Sequence, residues 1–129
     1  MPATYDDVAR MALALPGTTE GVRHGVRTWY VGEKVFAWQR GLSKADLKRY
    51  GDETPPDGPL LAVRAADLDD KAAVLAEGHK GFFTIEHFNR YPGFLIQLKV
   101  VGKRDLRMAI TDAWMAQAPP KLRLDLKRS

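Results

Sequence analysis

Apolar residues recur at helical spacing near both ends of the chain, and β-branched and aromatic residues run together in between. Val8, Met11, Ala12 and Leu15 share one face of a 3.6-residue period, which predicts an amphipathic helix over residues 5–14. Thr4 and Asp7 have the spacing of a capping box, and Pro16-Gly17 ends the helix. Thr18 to Gly25 reads as a polar loop carrying His24. Val26 to Val31 and Lys34 to Gln39 read as strands, and Gly32-Glu33 between them has the length of a two-residue hairpin loop. Simple alternation along the second arm sends Val35, Ala37 and Gln39 to one face and Phe36 and Trp38 to the other, the core side.

Ser43 and Asp46 repeat the capping-box spacing and predict a short helix over 44–50. GDETPPDGP follows as a loop, and Leu60 to Ala65 as a strand. Asp67 caps a helix running to Glu77, with Leu68, Ala72 and Leu75 inward and Gly78 as its stop. Phe82 to Ile85 and Phe94 to Lys99 are two further strands around a turn with Asn89 and Pro92-Gly93. Lys103 to Gln117 is the strongest helix, its face built by Leu106, Ile110, Ala113, Trp114 and Gln117, and Pro119-Pro120 stops it. The order predicts one α+β domain over 1–129, an antiparallel sheet packed by N- and C-terminal helices, with 119–129 a basic frayed tail.

Composition narrows the classes. The 129 residues suit one domain, and the absence of cysteine removes disulfides, thiolate metal sites and a cysteine nucleophile. MPATYDDVARM does not read as a signal peptide, no apolar run approaches a membrane span, and the chain reads as cytoplasmic. The net charge of +4 is unevenly spread, with Lys99, Lys103, Arg104, Arg107, Lys121, Arg123, Lys127 and Arg128 crowding the C-terminal part. A polyanion would therefore meet that part first.

The string FFTIEHFNRYPGFLIQL, with Phe82-Phe83-Thr84, His87 and Tyr91-Pro92 ahead of an apolar strand, resembles the MmcQ/YjbR family. ALALPGTTEG near the start, the KVFAWQR strand and DAWMAQAPPKL near the end extend the resemblance over nearly the whole chain. It implies a frataxin-like, double-wing α+β fold and the label of a DNA-binding protein. It brings no catalytic residues and no cofactor.

The residues themselves offer two binding surfaces. The first reading is a non-enzymatic domain binding DNA through Lys103, Arg104, Arg107, Lys121 and Arg123, with Arg23 and Arg27 secondary. Lys44, Lys48 and Arg49, near Arg40, form another basic cluster. A solvated basic face is the plain alternative, since no helix-turn-helix, zinc finger or RNP motif supports a specific mode. The second reading is a protein–protein or small-ligand module on the outer sheet face. Trp29 and Tyr30 are neighbours on a strand and point to opposite faces, so one of them faces outward among Arg23, Arg27 and Arg40.

His87, in the turn between aromatic strands, either holds that turn or contributes to such a site, and as an acid or base it would need a neighbouring carboxylate. His24, His79 and His87 lack zinc-ligand spacing, and the acids at Asp67, Asp69 and Asp70 are explained by helix capping, so no metal is expected.

Overall fold

The structure, a computed structural model, describes residues 1–128, and side chains up to residue 126. The strands are β1 (Thr18–Arg23), β2 (Val26–Val31), β3 (Lys34–Gln39), β4 (Leu60–Arg64), β5 (Phe82–Phe83) and β6 (Gly93–Gln97). The helices are α1 (Tyr5–Leu13), α2 (Lys44–Tyr50), α3 (Leu68–Ala76), α4 (Lys103–Gln117) and α5 (Pro120–Arg128). The strands form one sheet in the order β1-β2-β3-β4-β6-β5, every pair antiparallel. This is the expected α+β class, with N- and C-terminal helices flanking the sheet.

The inner face carries the main core. Trp29, Val31, Phe36, Ala37, Leu61, Val63, Phe94 and Ile96 from the strands meet Val8 and Ala12 of α1 and Leu106, Ile110, Ala113 and Trp114 of α4. Both capping boxes form as the spacing predicts, Thr4 with Asp7 and Ser43 with Asp46. The Trp114 indole donates to the Pro16 carbonyl at 2.9 Å, tying the end of α4 to the turn after α1.

Five expectations fail. Thr18 to Arg23 is a strand rather than a loop, because His24 (φ 53) and Gly25 (φ 78) make a two-residue turn of the I′ kind that folds it onto β2. Along α3 the inward face is Lys71, Val74 and Leu75. Leu68 and Ala72 are exposed. The last aromatic strand pair is short, and the turn between its arms contains a 3-10 turn, Glu86–Phe88.

The fourth is the tail, which is helical as α5. Leu122 and Leu126, one turn apart, pack against the core. Leu122 sits so close to Gly17 (φ 66) that a Cβ there would come within 2.6 Å of Leu122 Cδ1. Pro120 does not oppose this, since proline is well tolerated in the first turn of a helix.

Phe36 and Trp38 do not share a face. Trp29 pairs with Ala37 but Tyr30 pairs with Val35, so Phe36 is an extra residue, a β-bulge. Phe36 and Ala37 both join the inner core, and the alternation resumes with Trp38 on the outer face.

Leu122→Ala should lower stability by about 1–2 kcal/mol in urea denaturation, the cost of uncovering a half-buried leucine. A frayed segment would give no change.

Candidate functional site: a groove on the outer face of the sheet

The outer face is only partly covered. Trp38, Ala62, Leu95 and Phe83 lie in cross-strand register on β3, β4, β6 and β5. The connector between β5 and β6 folds over them, setting Ile85 and Phe88 into a second apolar cluster with Tyr91 and Leu42 packed against it. Trp38, Phe88 and Tyr91 make an aromatic triad. Ring centroids are 6.4 Å apart for Trp38–Phe88, 6.2 Å for an edge-on Trp38–Tyr91 and 5.3 Å for Phe88–Tyr91.

The connector stops short of β1 and β2 and leaves a groove of about 580 Å³. Its apolar wall is Val26, Val35, Trp38, Phe88 and Tyr91, and its polar rim includes Arg23, His24, Arg40 and His87. No carboxylate lines it. The volume lies in the range of small-molecule sites, roughly 300–1,000 Å³.

Two buried charged groups hold the walls. The Lys71 ammonium, on α3, donates to the carbonyls of Phe88 at 2.5 Å and Tyr91 at 3.0 Å, and burial lowers its pKa from the ordinary lysine value. Asp46, at the first turn of α2, accepts from the Ser43 backbone N–H at 2.9 Å and from Arg40 at 3.0 Å, with Arg49 at 3.5 Å. Its burial opposes ionisation, but the Ser43 donors and Arg40 outweigh that, and its pKa lies below the usual carboxylate value. Arg40, so anchored, stands 5.6 Å over the Phe88 ring. Arg40 and Gly41, just ahead of α2, thus build one side of the groove.

A second hollow adjoins the first and shares Arg23, Val35 and Tyr91 with it. Tyr30, Glu33, Lys34, Arg64 and Gln117 complete it. The Arg64 guanidinium lies 5.3 Å over Tyr91.

The sequence candidates scatter over this framework. Trp29 is fully buried, with its indole N–H donated to Glu20 at 2.9 Å, so it is a core residue and offers nothing to a ligand. Tyr30 is its outward partner and lines the second hollow. Arg27 is occupied by Glu20 at 2.9 Å and Asp6 at 3.0 Å. That contact, ahead of the Trp29 N–H, lowers the Glu20 pKa. Arg23 and His87 are exposed and line the groove, and His87 makes a ring contact with Phe88 at 5.9 Å. No carboxylate stands beside His87 in the lining of the groove.

The cations of the C-terminal part do not converge. Lys103 stands 3.9 Å from Asp7, Arg104 and Arg107 are exposed, and Arg123 is half-buried. α4, about 22 Å long at 1.5 Å per residue, carries Lys103 and Arg104 at its first turn, whereas Lys121 and Arg123 follow its far end. The side chains of Lys127 and Arg128 lie outside those described. Trp38, Arg64 and Lys71 were missed. The bulge misdirected Trp38, and no sequence pattern marks Lys71, which follows Leu68 by three positions on α3 and is buried where Leu68 is exposed.

The YjbR family model matches residues 13–116, and the chain belongs to this family, the MmcQ/YjbR family. Uncharacterized protein Rv2570 of Mycobacterium tuberculosis is 44% identical over 123 residues, which cover 93% of this chain and 92% of the relative. Uncharacterized protein Mb2600 of Mycobacterium bovis is similar to the same extent, 44% over 123 residues with the same coverage. No helix among the described residues is long and apolar enough to cross a membrane.

Asp46→Asn should cost about 1–3 kcal/mol at neutral pH, since it weakens charge-assisted bonds to Arg40 and Arg49. The folded-state pKa of Asp46 lies below its unfolded value near 3.8, so this stabilisation is complete above that value and is lost as pH falls through the folded one. Denaturation curves of the two proteins should converge in acid. Lys71→Met should release the connector, and amide exchange at Asn89 and Tyr91 should quicken while α4 amides keep their protection; equal protection throughout would show that Lys71 does not hold it.

Proposed function

We propose that the chain is a non-enzymatic binding domain whose site is the outer-face groove, and that its ligand is a nucleotide unit, free or within a single strand. The observation that carries this reading is the aromatic triad Trp38, Phe88 and Tyr91 opening into a groove rimmed by Arg23, His24, Arg40 and His87 with no carboxylate in its lining. Flat rings stack on aromatic faces irrespective of sequence, and cations beside them offset the charge of a phosphate. Thr28, the hydroxyl at the base of the groove, donates to the Val26 carbonyl and is not set against a general base, which supports binding rather than catalysis.

The competing reading places duplex DNA on the exposed Arg104 and Arg107 of α4. Fluorescence anisotropy with labelled single-stranded and duplex DNA of equal length separates the two. The groove reading expects the single strand to bind more tightly, because paired bases are unavailable for stacking. Trp38→Leu should weaken that binding by at least about tenfold, the worth of one stacked base, and Arg104→Ala with Arg107→Ala should change it less than about twofold. Tighter duplex binding that is lost in the double arginine variant would put the site on α4 instead.

A further inference from the structure

The second hollow has a chemical character different from the groove it adjoins. Arg23, Lys34 and Arg64 converge on it, with Glu33 the one carboxylate in its lining. Among the described residues none of these three cations makes an ion pair, whereas Arg10, Arg27, Arg40 and Arg49 each have a carboxylate partner. Arg64 carries a second sign of an absent partner: its Nε–H is buried and has no acceptor. A buried donor without an acceptor is costly, and each such group in a folded protein calls for an explanation.

We propose that this hollow is an oxyanion subsite that takes the phosphate of the nucleotide whose base lies against Trp38, Phe88 and Tyr91. The inference rests on the groove reading above and adds to it where the charged end goes. Three features support it. The two hollows share Arg23, Val35 and Tyr91, so they adjoin, and the charged end of a ligand in the groove has the second hollow beside it. Arg64 lies over Tyr91, which places a guanidinium next to the ring that ends the aromatic triad. The forked donors of two guanidinium groups match the oxygens of a phosphate, with Lys34 adding a point charge.

The test compares adenosine with adenosine 5′-monophosphate by calorimetry, on the native protein and on Arg64→Gln, Arg64→Lys and Arg23→Gln. The monophosphate should bind at least about tenfold more tightly than the nucleoside, a difference of about 1.4 kcal/mol. Arg64→Gln should remove most of that advantage while leaving adenosine binding in place, and Arg64→Lys, which keeps the charge and loses the fork, should retain part of it. Equal affinity for the two compounds, or an advantage that survives both glutamine variants, overturns the subsite and leaves the groove standing. Absence of binding by both compounds up to about 10 mM, beyond the weak end of specific recognition, overturns the subsite and the groove reading together. A pentaadenylate strand distinguishes the two sources of the nucleotide by binding more tightly or less tightly than the monophosphate. In either case Arg64→Gln must weaken it, and an unchanged affinity counts against the subsite.

Discussion

One extra residue in β3 decides what each side of the sheet becomes. Without the bulge at Phe36, a strand of alternating residues would commit its two large aromatics to the same face. With it, Phe36 fills the inner core against α1 and α4, and Trp38 turns outward to meet Phe88 and Tyr91. The inner face is then complete in itself, with Trp29, Trp114, Leu61 and Ile96 fully buried. The outer face is left with an aromatic surface too large for the short β5–β6 connector to cover. The groove is that uncovered remainder.

The charged groups divide along the same line. Carboxylates are taken up inside the architecture: Asp7 accepts from the Thr4 N–H in the capping box of α1 and from Arg10, Asp46 accepts from the Ser43 N–H in that of α2 and gathers Arg40 and Arg49, and Glu20 takes Arg27 and the Trp29 indole. What this leaves near the outer face is an excess of cations without partners, Arg23, Lys34 and Arg64. The net charge of +4 thus concerns location more than total. Long-range attraction of an anion would act over the whole surface, but beside the aromatic triad, among the described residues, unpaired cations adjoin a concave apolar wall.

Much of the fold was legible because local chemistry and global packing agree. Both capping boxes, the Gly32-Glu33 hairpin, the Gly78 stop (φ 73) and the apolar stripe of α4 are all where spacing puts them. Reading failed where a non-local partner overrides a local signal. β1 is polar enough to pass for a loop and becomes a strand through its turn and its pairing with β2. α5 begins with a proline pair and many charges, yet two leucines one turn apart dock it. The site was half legible: an aromatic facing outward near Arg23 and Arg40 was expected from strand geometry, and His87 was a separate candidate from its turn. Trp38 was assigned to the wrong face, because a bulge leaves no mark in the periodicity. Arg64 and Lys71 sit in segments that read as ordinary strand and helix, and only the folded chain brings them to Tyr91.

The most direct measurement is a map of backbone and side-chain NMR shifts as a short single-stranded oligonucleotide is added to the protein. The Trp38 indole N–H is the central reporter, since Trp29 and Trp114 are fully buried and donate their indole N–H groups to Glu20 and Pro16. The account predicts that the Trp38 indole, the Tyr91 and Phe88 amides and the Arg23 and Arg64 Nε–H signals move together, with the amides of α4 unmoved. Shifts confined to Lys103, Arg104, Arg107 and their neighbours on α4, with the Trp38 indole unchanged, would contradict it.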